Sequence, residues 1–290
     1  MTDTFIARSY AKINLGLFVR ERLPNGYHDI ETGFAFIDLS DRIEVRKAEK
    51  TTILCNDPGV PTGKDNLINK AILAFNRAFG TSGYFHINLQ KSIPAGAGLG
   101  GGSSNAAVML RLLNRIHVKN IPLDELCKIG AALGADVPVF IRCDTAIGTG
   151  TGTDLEYLDF QPDYHIVTVW PGIHSDTREA YQMCEPGGPP EEPLSQILTE
   201  YNPDEWTYLL RNDLEPGVIQ LYPQIGNLKD QMYDMGALYA AMSGSGSSVF
   251  GILDQEVTAH ETYQYLLQLD YRANLTPAGF KPDHGVYLKG

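Results

Sequence analysis

Residues 94–104 read Pro-Ala-Gly-Ala-Gly-Leu-Gly-Gly-Gly-Ser-Ser, five glycines in eleven positions. Glycine admits backbone conformations with positive φ and lets an anion come close to the main chain. A strand, a glycine loop and a helix in that order aim several N–H groups at one point, and the positive end of the helix dipole reinforces them. Ser103 and Ser104 add hydroxyls at the helix start. A turn with simple helix caps needs one or two glycines, so the run reads as a phosphate cradle. It is not a Walker A loop, because Gly101-Gly102-Ser103-Ser104 lacks the lysine before the helix. Gly96, Gly98 and Gly101 satisfy G-x-G-x-x-G. A dinucleotide site, however, wants an acidic residue about 20 positions on at a strand end. Asp124 opens a helix after Pro122 instead, and the loop lies mid-chain. A nucleoside triphosphate is therefore favoured over a dinucleotide.

Three other sites could do chemistry. Asp136 follows Gly134 and precedes Val137-Pro138-Val139-Phe140, an apolar, strand-like run. A carboxylate there could accept or orient a hydroxyl proton, or could only cap local N–H groups. Lys12 lies in a strand between Ala11 and Ile13, where a lone lysine usually reads as a solvated edge charge. Tyr27 and His28 follow the turn Leu23-Pro24-Asn25-Gly26, offering a ring and a hydrogen-bonding edge, or only a packed hairpin end. Stacking on a base is worth about 1–3 kcal/mol. The remaining histidines (His86, His117, His165, His174, His260 and His284) form no metal cluster in sequence.

These residues need elements to hold them. Strands are expected over 5–19, 30–39, 42–46, 84–90 and 164–170. Helices are expected over 65–79, capped by Asp65 and closed by Gly80, over 104–116, and over 124–133. Residues 185–193, rich in Pro, Gly and Glu, read as a surface loop, and a second glycine-serine turn spans 242–248. The chain of 290 residues, 43 % hydrophobic and 20 % charged, can bury a real core in one large domain or two packed lobes. Its net charge of −12 argues against a general nucleic-acid binder but not against a local anion pocket. No stretch approaches the roughly 20 apolar residues of a membrane span. The first residues lack a secretory signal's apolar core. Four scattered cysteines without C-x-x-C spacing point to free thiols in the cytoplasm.

Taken together, four blocks resemble the GHMP small-molecule kinases, a family named for galactose, homoserine, mevalonate and phosphomevalonate kinases. They are the glycine loop with Asn105-Ala106-Ala107; Ala11-Lys12-Ile13-Asn14-Leu15 with Gly26-Tyr27-His28; Gly134-Ala135-Asp136-Val137-Pro138-Val139-Phe140; and Ser243-Gly244-Ser245-Gly246. The resemblance implies a two-lobed α+β fold with lobes over 1–155 and 156–290 and the active site in the cleft between them. It implies ATP as co-substrate, bound with Mg2+ at Pro94, Ala95, Gly96, Ala97, Gly98, Leu99, Gly100, Gly101, Gly102, Ser103 and Ser104. Magnesium would be held mainly by phosphates and water, with Ser104 the one protein contact to consider. Lys12 and Asp136 become catalytic. The ammonium would keep the carboxylate ionised and stabilise charge on the transferring group, in place of the absent Walker lysine. Asn14, Tyr27, His28, Thr177 and Tyr181 become substrate contacts, with Tyr181 offered to the other face of a base. The Gly-Tyr-His and Gly-Ala-Asp-Val-Pro blocks are similar to the branch that phosphorylates a cytidyl-diphosphate sugar alcohol on the non-mevalonate route to isoprenoids. Small molecules, not nucleic acid or membrane, would be the partners. A homoserine or mevalonate type of kinase and an inactive nucleotide-binding regulator remain open at this point.

Overall fold

The structure, a computed structural model, describes residues 4–160, 162–283 and 286–289. In chain order the first elements are β1 (Thr4–Arg22), β2 (His28–Ala48), β3 (Thr52–Cys55), α1 (Leu67–Phe79), β4 (Tyr84–Gln90), α2 (Gly101–Ile116), α3 (Leu123–Leu133), α4 (Val137–Arg142), β5 (Ala146–Thr149) and β6 (Asp154–Tyr157). There follow β7 (His165–Trp170), α5 (Thr177–Met183), α6 (Leu194–Glu200), α7 (Trp206–Leu209), α8 (Glu215–Leu221), α9 (Pro223–Asp234), β8 (Tyr239–Met242), β9 (Val249–Leu253), α10 (Glu256–Gln268), β10 (Arg272–Thr276) and β11 (Val286–Lys289).

The β1–β2 hairpin organises the first sheet, whose order is β11-β1-β2-β4-β3 with β5 and β6 branching from β2. The strands expected over 30–39 and 42–46 are one strand. Tyr10 pairs with Ser40 but Ala11 pairs with Ile37, so β2 carries a bulge and bends instead of stopping. Its start then pairs with β5 and its end with β4. Gly16, at φ 77, sits out of the ladder between Leu15 and Leu17. The second sheet is antiparallel, in the order β10-β7-β9-β8.

Helix starts depart from expectation in two places. Asn66, not Asp65, caps α1, its side chain accepting from the Ile68 amide at 2.8 Å. The run 137–140, expected to be strand-like, is helical. Pro138 sits in the first turn of α4, where its missing N–H costs nothing, and Cys143 ends it in the left-handed region. Among the described residues, no helix is long and apolar enough to cross a membrane.

Three apolar clusters fill the molecule. One lies between the first sheet and α1–α4, with Phe75, Phe85, Leu110 and Phe140. Another packs the second sheet against α8–α10, with Val218, Met232 and Leu266. The third joins Ile13, Leu15 and Ile37 of the hairpin to Ile166, Tyr239 and Phe250 of the second sheet, around Trp206. Truncating a residue of this shared core, such as Ile13→Ala, costs about 2–5 kcal/mol. The shared core holds the two sheets at the distance the cleft requires.

Candidate active site

The glycine loop is anchored by its apolar members and opened by its glycines. Ala97 and Leu99 are buried, while Gly96, Gly98 and Gly100 take φ values of 64, 76 and 69. Gly100 is the capping residue of α2, which starts at Gly101, earlier than the expected 104. Its first amides have no partner within the helix. Close packing also excludes side chains there: a Cβ on Gly98 would lie 2.0 Å from the Ser243 carbonyl oxygen, and one on Gly100 2.6 Å from the Phe140 ring. At Gly102 the nearest atom would be 3.6 Å away, and that residue faces the cleft.

Ser104 does not belong to the cradle. It is fully buried, its hydroxyl donates to the Tyr10 carbonyl at 2.6 Å, and it accepts from Ser9 at 2.7 Å. The hydroxyl expected near phosphates and magnesium instead ties α2 to β1. Beside it, Asn105 donates to Ser9 at 2.9 Å and to Asp41 at 2.8 Å. Asp41 also accepts from Lys91 and from the amides of Ser92 and Ile93, so a buried polar network carries the loop from behind.

Lys12 is the centre of the site. It is 3 % exposed, and its Nζ donates to Asn14 Oδ1 and to the Gly98 carbonyl at 3.0 Å. An ammonium has three protons; the third is left on the side of Asp136, whose Oδ2 lies 3.8 Å away. Burial pulls the Lys12 pKa down, and the charge of Asp136 opposes that shift. Asp136 stands at the start of α4 without capping it. Asn14 Nδ2 donates to Thr32 at 2.8 Å, and Thr32 donates to the carbonyl of Gly16 at 2.7 Å. Asn14 is thereby held with its oxygen toward Lys12.

The turn 243–246 closes the other side. Ser243 Oγ donates to the Gly98 carbonyl at 3.0 Å and accepts from the Asn14 amide at 3.3 Å. Asn212 donates to the carbonyls of Met242 and Gly244, both at 2.8 Å, and Glu215 accepts from the Met242 amide. The segment before α5 straps turn and loop together. The Ser175 amide donates to the Gly96 carbonyl, its hydroxyl donates to the Ser245 carbonyl, and Thr177 pairs with the Ser245 hydroxyl at 2.9 Å. Helix α5 then places Tyr181 against His28, ring centroids 4.9 Å apart and 25° from parallel. Tyr27 stands out, 65 % exposed. Together these groups line a cleft of about 1030 Å³ that includes every expected site residue except Ser104. Sequence reasoning missed Asp41, Lys91, Thr32 and Asn212, whose partners lie far along the chain.

Residues 66–143 match the GHMP kinases N terminal domain, and residues 196–272 the GHMP kinases C terminal family. A 4-diphosphocytidyl-2-C-methyl-D-erythritol kinase of Chlorobium chlorochromatii is 37 % identical over 97 % of this chain and 99 % of its own. That of Parabacteroides distasonis is 42 % identical over 84 % and 90 %. The chain belongs to the GHMP kinases, among the 4-diphosphocytidyl-2-C-methyl-D-erythritol kinases. A crystal structure of a 4-(cytidine 5'-diphospho)-2C-methyl-D-erythritol kinase superposes with a TM-score of 0.80 at 32 % identity, over 95 % of this chain and 99 % of that one. A homoserine kinase from Cytophaga hutchinsonii, at 0.73 and 18 % over 100 % and 98 %, shares the fold.

Membership makes this GHMP kinase an enzyme with ATP as co-substrate, and the two-lobed α+β fold is the one expected. It also sets aside the dinucleotide and inactive-regulator alternatives, and the likeness to homoserine kinase extends to fold alone. Among the described residues no group of three His, Cys, Asp or Glu could hold a metal ion; His284 lies outside them. The Ser104 hydroxyl, donated to the Tyr10 carbonyl, is turned away from the cleft that would receive magnesium with ATP.

Proposed function

We propose that this kinase transfers the γ-phosphoryl group of ATP to the 2-hydroxyl of 4-diphosphocytidyl-2-C-methyl-D-erythritol, giving the 2-phosphate and ADP in isoprenoid precursor synthesis. The observation that carries the mechanism is the Lys12–Asp136 pair, 3.8 Å apart at the wall shared by the glycine loop and the turn 243–246. The loop amides and the start of α2 receive the nucleotide phosphates. Asp136 accepts the hydroxyl proton as the oxygen attacks phosphorus, and the bond from the γ-phosphorus to the bridging oxygen breaks to release ADP. Lys12, held by Asn14 and Gly98, directs its third proton at charge developing on the transferred group. Magnesium bound with ATP would be held mainly by phosphates and water and would offset charge on the phosphoryl group. His28 reads the cytosine edge, Tyr27 and Tyr181 supply aromatic surface, and Thr177 and Asn14 contact the sugar alcohol.

We assign residues 1–155 and 156–290 to the two lobes; the apolar clusters on either side support that division, and β11 returns across it to pair with β1. Four free cysteines support a cytoplasmic location. The test is ADP release with the cytidyl substrate, homoserine and mevalonate as acceptors, and phosphorus NMR of the product. Turnover should require the cytidyl substrate and yield its 2-phosphate. Equal or faster turnover of homoserine or mevalonate overturns the assignment.

A further inference from the structure

The charged side chains lining the cleft are Lys12, Arg22, Asp65, Lys91, Asp136 and Arg178, apart from His28. Most already have partners. Lys12 is bound to Asn14 and the Gly98 carbonyl and faces Asp136; Lys91 is bound to Asp41. Arg22 and Arg178 differ: both are exposed, and among the described residues neither pairs with a carboxylate. Nearby Arg20, by contrast, is committed to Glu31 and Asp29.

The two free guanidinium groups come from different elements but flank one platform. Arg22 ends β1 directly opposite His28 on β2, so the two side chains leave the hairpin on the same face. Its charge is felt at the His28 ring, whose pKa it helps to lower. Arg178 precedes Tyr181 by one helical turn on α5, a spacing that puts both on one side of the helix. Tyr181 and His28 are themselves stacked. A diphosphate tethered to a base through one ribose must lie beside the base.

We propose that Arg22 and Arg178 grip the diphosphate of the cytidyl substrate and make the kinase select a cytidine diphosphate over cytidine. The inference rests on the cytidyl assignment made above. The nucleotide phosphates belong to the glycine loop, whose own amides receive them, so the two arginines serve the other polyanion. On a chain of net charge −12 they also offset repulsion of an anionic substrate at the mouth.

The test is calorimetric titration of cytidine and CDP into the full chain and into Arg22→Gln, Arg178→Gln and the double variant, with the KM for ATP measured alongside. Wild type should bind CDP more tightly than cytidine. Each substitution should weaken CDP by about three- to tenfold, a charge-assisted contact discounted for solvent, and change cytidine by less than about twofold. Added salt should weaken CDP binding in wild type more than in the double variant, and Arg→Lys should recover part of the loss. A merely structural role would weaken cytidine and CDP together. That result, or unchanged CDP affinity in the double variant, or a loss confined to ATP, overturns the inference while leaving the cytidyl assignment standing. Wild type that binds neither cytidine nor CDP overturns both.

Discussion

The Lys12 ammonium is withdrawn from water on β1, which lowers its pKa from the usual 10.5, while the Asp136 carboxylate pulls it back up. Removing that carboxylate should therefore lower the Lys12 pKa further. NMR titration of 13C-labelled lysine in wild type and Asp136→Asn checks this; an unchanged or higher value in the variant contradicts the pairing. The sign carries to stability. The folded chain gives up this proton before the unfolded one, so the unfolded state holds more protons between the two values and stability from this group rises with pH there. His28 is shifted down from 6.5 by burial and by Arg22, so its ring is neutral at physiological pH, with one nitrogen to donate and one to accept. His28→Ala should raise the KM for the cytidyl substrate by roughly tenfold and leave the KM for ATP in place. An unaffected KM would return His28 to packing against Tyr181.

At the scale of elements, the strand, loop and helix around residues 94–104 act as one device, and its glycines are not equivalent. A Cβ on Gly101 would meet Ile93 at 2.9 Å and Lys91 Nζ at 3.0 Å, whereas one on Gly102 would make only an ordinary contact with Leu67 at 3.6 Å. Gly101→Val should lower stability by about 1–3 kcal/mol through overpacking. Gly102→Val should keep the melting temperature within a few degrees and weaken ATP, because its side chain enters the space the phosphates approach. Calorimetry with nucleotide titration separates the two; unchanged ATP affinity in a folded Gly102→Val protein removes the cradle from that position. The device was legible because its signals are local: alternation in β4 and five glycines in the loop that leads into α2. Where signals were not local, sequence reasoning failed. Residues 137–140 are apolar throughout, and such a run does not distinguish a buried helix from a buried strand. Ser104 was placed at the phosphates because nothing nearby reveals its partner, the Tyr10 carbonyl. Asp41 lies on β2 with no local motif, yet it holds Lys91, Asn105 and two loop amides.

Across the whole molecule, β1 threads all three cores, with Ala7 and Tyr10 in the first, Ile13 and Leu15 in the shared one, and Leu17 and Val19 in the third. Lys12 is therefore positioned by both lobes, and it meets Asp136 only because β1, the glycine loop, α4 and the turn 243–246 converge. Four motif blocks, far apart in sequence, announced this convergence through their resemblance to a family; the polar ties that enforce it, from Thr32 and Asn212, did not. The central claim is that Lys12 and Asp136 form one catalytic unit. It is tested most directly by kcat, with both substrates saturating, in Lys12→Met, Asp136→Asn and the double variant. Each single substitution is expected to lower kcat by at least about 10²-fold, and the double to fall little further than the worse single, because groups that act together lose their effect once. Folded single variants within about tenfold of wild type, or losses that multiply in the double, would contradict it.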